Sequence, residues 1–390
     1  MDNFTTWKGV VYLSAEDDTT AQQICNVIDT ADFQYLEEFA LAKRIEHEKQ
    51  LDARKILAGV TCTTTTDDLT WGSTHVVFKL VFSDGKIWVA RVPYTPLNGT
   101  KLHQYLVEMT TEKAALETLR RRTFIPVPQI FGQDLAVING SRFGFPFTLM
   151  SWLPGSTLSG AVATHVPETH LLHIAKQMAH ILSQLQNVIF DEPGRLWCGR
   201  RPSDPPMVIP VILHANSAPF PPKNSVDWFS IATGIEVKMS TDEEDENDEE
   251  DEEDDIEEPY HPFDPKGLLL ASLIGDRVHG PFPLCHMELH HQNILFDDEC
   301  NITGVLGWRH AEAVPLERLA ICQEYLHSPG DRNDDIVLLF REMTRSCLQE
   351  TDDEEKHSWE WMGVEDPLPR LASYFASPRA EQLGSLLQSS

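Results

Sequence analysis

Two apolar runs restrict the possible folds more than anything else in the chain: VVFKLVF (76–82) and KIWVARV (86–92), joined by Ser83-Asp84-Gly85. Both are rich in β-branched and aromatic residues, and Asp-Gly suits a tight reversal, so the pair predicts a β-hairpin. FPFTLMSWL (145–153), ended by Pro154-Gly155, predicts a further strand. Other stretches have helical periodicity. Residues 20–58 read as helical; so do 111–122, with Thr111 as a cap and a stop before Ile125-Pro126-Val127-Pro128. Leu171, Ile174, Met178, Ile181 and Leu185 define one apolar face of a helix over 168–187. TCTTTTDD (61–68) reads as a polar break. Seven prolines between 202 and 222, followed by a run of acid, predict no regular structure until about Phe263. LLLASLIGDRV (268–278) and most of the chain to about 375 read as helical. Strands early and helices late imply an α+β chain with a small sheet-containing lobe and a larger helical one. The expected divisions are an N-terminal helical extension (1–54), the small lobe (55–150), the helical lobe (151–380) and a tail (381–390).

Charge narrows the function classes. The 390 residues carry 31 Lys+Arg against 61 Asp+Glu, a net charge of −30. Fifteen of the seventeen residues from Asp242 to Glu258 are acidic, so one insertion in the helical lobe supplies half of that surplus. A phosphate-tracking nucleic-acid binder or a polybasic membrane module needs concentrated positive charge, so no nucleic acid and no membrane are expected as partners. The run itself reads as a disordered, self-repelling loop, with a basic protein as the alternative partner. The seven cysteines are scattered without a Cys-x-x-Cys pair, which fits neither a disulfide framework nor a zinc ribbon. The longest apolar runs reach about half a membrane span. A soluble, cytoplasmic protein is the expectation.

The densest chemistry lies in LCHMELHHQNILFDD (284–298) and ITGVLGWRHAEAVPLE (302–317). His-x-x-Leu-x-x-x-Asn before a short apolar strand is how a phosphotransferase catalytic loop is built. A carboxylate near its start orients the acceptor hydroxyl, and an Asn five residues later holds magnesium. A second carboxylate, after the next strand pair, holds the metal bridging the β- and γ-phosphates. Glu288 and Asn293 have the first spacing, and Leu306-Gly307-Trp308 stands at the second.

These blocks resemble the aminoglycoside phosphotransferase/choline kinase-like family, most closely its fungal-type branch. FSDGKIWVARVPY (82–94) is similar to that branch's strand pair, in which an Arg commonly stands where most kinases have the strand Lys. TEKAALETLRRRTFIPVPQIFG (111–132) is similar to the following helix and strand, and FTLMSWLPG (147–155) to the inter-lobe hinge. The likeness runs from about 70 to 320 in five ordered blocks. It implies a bilobal protein-kinase-like fold and ATP-dependent, Mg²⁺-assisted phosphoryl transfer to a hydroxyl of a small molecule. By the same resemblance Arg91 and Glu112 form the phosphate-positioning ion pair, and the hinge around Met150 and Trp152 takes the adenine. Glu288 orients the acceptor, and Asn293 holds Mg²⁺.

Two positions depart from the family pattern at the chemistry itself. The family has His-Gly-Asp-Leu where this chain has His286-Met287-Glu288-Leu289, and Ile-Asp-Trp-Glu where it has Leu306-Gly307-Trp308-Arg309. The longer Glu displaces the carboxylate by roughly an ångström, a misplacement that costs on the order of a hundredfold in a tuned site. Gly307 offers no oxygen to Mg²⁺, a hard cation that wants carboxylate and phosphate ligands. Arg309 adds positive charge beside the place where a dication belongs. Impaired transfer is therefore expected, with a nucleotide-binding or protein-interaction pseudokinase as the alternative. His286-x-Glu288 lacks the Pro-Cys-x-x-Cys that a zinc deaminase needs, and His286 reads as a structural loop residue.

Overall fold

The computed structural model describes residues 7–388 apart from residue 8 and the segments 53–58, 136–141, 158–167, 199–205, 210–221, 235–268, 271, 275–278, 322–333 and 362–369. The acidic run at 242–258 lies outside the described residues. The chain is α+β, with two separate buried cores.

The small lobe is a five-stranded antiparallel sheet, β1 (Cys62–Trp71), β2 (His75–Phe82), β3 (Ile87–Pro93), β4 (Ile130–Asp134) and β5 (Phe147–Ser151), in the order β1-β2-β3-β5-β4. The predicted hairpin forms with Phe78 opposite Ala90 and Leu80 opposite Trp88. The polar break expected at 61–68 is instead part of β1. Threonines are β-branched and fit a pleated edge strand, and Thr63 and Thr65 turn their side chains to solvent while Leu69 and Trp71 are buried. Two helices, α1 (Asp18–Thr30) and α2 (Phe33–Leu51), cover one face. Asp17 and Asp32 cap them by accepting hydrogen bonds from Thr20 N and Tyr35 N, both at 2.9 Å. Phe33, Phe39, Phe78, Phe143 and Phe147 meet edge-to-face between helix and sheet. The Arg44 guanidinium of α2 donates to Asp84 at 2.7 Å and lies over the Phe82 ring, which ties the hairpin turn to the helix. That hydrogen bond brings the Asp84 carboxyl down to about 2.

Helix α3 (Gly99–Arg122) begins well before the predicted 111–122. Thr111 is buried inside it and is not a cap. The three arginines of its last turn complement the negative end of the helix dipole.

In the large lobe, α4 (Glu168–Gln186) buries all five residues of its predicted face. The region expected to be irregular contains a short strand, Met207–Ile209, and a helix, α5 (Ser225–Thr233). Asn224 caps α5 by accepting from Asp227 N at 2.8 Å, and Trp228 and Phe229 anchor it in the core. Prolines punctuate this stretch without preventing such anchoring. Of the helix expected at 268–278 only part is described, where Ile274 N donates to Leu270 O at 3.2 Å. A long helix, Asp334–Trp361, packs along α4. Strand Phe282–Cys285 leads into the loop before Ile294–Phe296, which pairs with Ile302–Val305. No described helix is long and apolar enough to cross a membrane.

Candidate active site

The two lobes enclose a cleft of about 290 Å³, whose walls include Arg91, Glu112, Met150, Trp152, Glu288, Asn293, Gly307 and Arg309. Every site residue expected from sequence lines this one cavity, although they come from four separate segments.

Arg91 projects from the middle strand β3, whose register sets Val77 and Thr148 on either side of it. Its guanidinium is bidentate to Glu112 of α3, with Nη1 donating to Oε1 at 2.8 Å and Nη2 to Oε2. The pair is nearly buried, at 16% and 1% side-chain exposure. Burial alone would make the guanidinium easier to deprotonate. The Glu112 carboxylate outweighs that and raises it, so Arg91 is a fixed positive charge. Met150, at the end of β5, is buried against the cleft, and Trp152 stands half-exposed at its rim.

The loop after Phe282–Cys285 is fastened by His286. Its Nε2 donates to Leu306 O at 2.6 Å, and its Nδ1 accepts from Glu288 N at 3.3 Å, an arrangement that fixes the neutral tautomer. Burial pushes this imidazole down to about 4. Its ring meets the Trp308 indole edge-to-face at 4.4 Å. Met287 holds a left-handed backbone (φ 68°), a conformation that costs a side-chain-bearing residue about 1–2 kcal/mol.

Glu288 does not stand alone. Its Oε1 accepts from His310 Nδ1 at 2.9 Å, while His310 Nε2 lies 3.6 Å from Glu108 Oε1. Although burial works against its charge, the Glu108 and Glu288 carboxylates on either side push His310 up to about 9. At neutral pH an imidazolium thus bridges two carboxylates, joining α3 to the loop after Phe282–Cys285. The His310 hydrogen bond lowers Glu288; in Glu108 the nearby imidazolium overcomes the opposing effect of burial.

The opposite corner is where a metal would be sought. Gly307 has φ 82°, and a Cβ built on it would lie 2.8 Å from Asn293 Oδ1 and 2.9 Å from Asn293 Cγ. The Asn293 carboxamide therefore fills the space from which a side chain at 307 would depart. Its Nδ2 donates to Glu288 O at 2.8 Å, and its backbone carbonyl accepts from Leu306 N at 2.7 Å. Nearby carboxylates give no substitute. Glu312 is buried beside Arg195 at 3.5 Å, Asp297 accepts from Asn301, and Asp298 is exposed in a turn; none lines the cleft. Among the described residues no group of three His, Cys, Asp or Glu could hold a metal ion. Arg309 reaches across the cleft, and its Nη1 donates to Thr74 Oγ1 at 3.1 Å. These residues do not fit Mg²⁺: one amide oxygen remains, with no carboxylate opposite it and a guanidinium alongside.

Sequence reasoning missed Glu108, His310 and Trp7, whereas Trp71-Gly72-Ser73-Thr74-His75, a thin match to a phosphate-facing loop with its single glycine, brings Thr74 and His75 to the cleft. Glu108 lies one turn before Glu112 on α3, a spacing that puts both on one helix face and could have drawn attention to it. Trp7 comes into the cleft because Gly9 N donates to Leu69 O at 2.9 Å, laying the N-terminal segment along β1. No local pattern announces that contact.

Residues 72–339 match the model of a family described as "Phosphotransferase enzyme family". No curated protein matches the sequence. Among solved structures, the chain is similar to a macrolide 2'-phosphotransferase from Brachybacterium faecium (16% identity, 88% of this chain and 92% of that one, TM-score 0.41). It is also similar to an APH(2″) enzyme in complex with GDP and kanamycin (14% identity, 87% and 95%, TM-score 0.40). A third is another APH(2″) enzyme, in a ternary complex with streptomycin and ATP (11% identity, 90% and 96%, TM-score 0.35).

Proposed function

Since the chain belongs to the phosphotransferase enzyme family, we propose that its cleft binds a nucleoside triphosphate and that its transfer of phosphate to a small-molecule hydroxyl is impaired. The observation that carries this reading is the corner at Gly307. No carboxylate stands there, and the Asn293 carboxamide occupies the space and spends its Nδ2 on Glu288 O. In-line transfer relies almost wholly on positioning and charge neutralisation, so loss of a metal carboxylate removes much of what the protein supplies.

Nucleotide binding draws on different residues. The Arg91–Glu112 pair supports it, presenting a fixed cation on the cleft wall. Met150 and Trp152 border the hinge side, where an adenine ring has apolar surface to lie against. Glu288 would orient an acceptor hydroxyl as a carboxylate already neutralised by His310. The fungal-type likeness belongs to this reading, since it accounts for Arg91 at the strand position. An active phosphotransferase is the competing reading, supported by the intact Arg91–Glu112 pair.

ATP turnover over a panel of amino-alcohols and aminoglycosides, with and without Mg²⁺, decides between the two. Background turnover together with measurable ATP binding is the expected result. Mg²⁺-dependent turnover well above background, lost in Asn293→Ala, overturns the reading.

A further inference from the structure

We propose that the nucleotide is held without a divalent cation and that the Arg309 guanidinium supplies the counter-charge to its phosphates. The inference rests on the nucleotide-binding reading above and goes beyond it by assigning the ligand's form and a binding residue.

Three observations carry it. First, Arg309 is placed as a phosphate ligand must be. It rises from the segment beside Gly307, lines the cleft, and meets Thr74 in the β1–β2 turn across from it. Second, its charge is not tied up in a direct ion pair, although it acts at longer range on the Glu288 and Glu108 carboxylates. Among the described residues no carboxylate forms an ion pair with Arg309, and its hydrogen-bond partner is a neutral hydroxyl. A guanidinium carries five N–H donors, so most remain for phosphate oxygens, which its planar fork matches in pairs. Third, no carboxylate oxygen is available to a dication at 307, and at 293 only the amide Oδ1 is left while Nδ2 is bound to Glu288 O. A metal would meet a guanidinium, whereas a metal-free polyphosphate would find two arginines lining the cleft, Arg91 paired with Glu112 and Arg309 without an ion-pair partner among the described residues.

The neighbouring histidine fits this picture. Thr74 Oγ1 lies 2.7 Å from His75 Nδ1 while accepting from Arg309, so its hydroxyl proton points to a neutral imidazole. His75 is held well below its usual range by burial and by the charges of Arg91 and Arg309.

The test is a titration of ADP and ATP into the full chain, in EDTA and in Mg²⁺, followed by calorimetry. Wild type is expected to bind in EDTA at least as tightly as in Mg²⁺. Arg309→Ala is expected to weaken binding in EDTA by about ten- to a hundredfold, the usual effect of losing a charge-assisted hydrogen-bond pair. Arg309→Lys should recover part of the loss and also serves if the alanine variant does not fold. Binding by wild type only when Mg²⁺ is present overturns this inference and leaves the nucleotide-binding reading intact. Equal binding by wild type and Arg309→Ala in EDTA overturns the assignment of Arg309. Absence of binding in both buffers sinks the nucleotide-binding reading itself.

Discussion

Replacing Gly307 by alanine probes the metal corner directly, and its cost follows from geometry. A side chain at φ 82° costs about 1–2 kcal/mol. The new methyl would also begin 2.8 Å from Asn293 Oδ1, closer than Cβ atoms approach oxygen, so the carboxamide must swing away. That movement breaks its hydrogen bond to Glu288 O, worth about 1 kcal/mol. The expected destabilisation is therefore about 2–3 kcal/mol. Asn293→Ala alone should cost about 1 kcal/mol. In the double variant the clash is already gone, so the two effects should fall short of additivity by about 1 kcal/mol. Urea denaturation of the four proteins gives these values from midpoints at a common slope. A Gly307→Ala protein within about 0.5 kcal/mol of wild type, or strict additivity, would refute the reasoning, since surface substitutions commonly stay within that margin.

Three further outcomes follow from other parts of the structure. His310 is raised from 6.5 to about 9 in the fold, so its contribution is complete below about pH 6.5 and is lost as pH rises to 9. Wild type should lose on the order of 3 kcal/mol across that window, as measured by denaturation at each pH, and His310→Gln should show a flat profile there. Glu112→Ala leaves the Arg91 charge buried without its carboxylate, and should cost about 3–5 kcal/mol by denaturation; Arg91→Met paired with Glu112→Leu should cost less than Glu112→Ala. Burial raises the Cys62 thiol to about 12, so a thiol-reactive disulfide reagent at pH 8 should label exposed Cys25 first and reach Cys62 only on unfolding, as peptide mapping would report.

How much of this was written in the sequence depends on whether the decisive contact is local. The β2–β3 hairpin and the buried face of α4 were legible because each is set by side-chain periodicity and turn chemistry within one segment. The candidate site residues could be picked out together because their spacing follows a family pattern, and the structure lines one cleft with them; their roles there are proposed. β1 was misread because its threonines gain their strand role from pairing with β2. The start of α3 and the whole of α5 were missed for a similar reason: Trp228 and Phe229 stabilise a short helix only through the core around them. The His310 bridge between Glu108 and Glu288 spans three segments. The most consequential gap concerns Gly307. Its missing carboxylate is visible in the sequence, but that Asn293 fills the vacated space, and that Arg309 turns to Thr74, are facts of packing.

The central claim is that this cleft holds a nucleotide yet transfers its phosphate poorly for want of a metal ligand. A single-turnover experiment tests it most directly: γ-labelled ATP in Mg²⁺ with the full chain in excess, so that every nucleotide is bound, and the acceptor panel added. The account predicts release of label at the rate of the protein-free control. Transfer of label to any acceptor at a rate far above that control, abolished by Asn293→Ala, would contradict it.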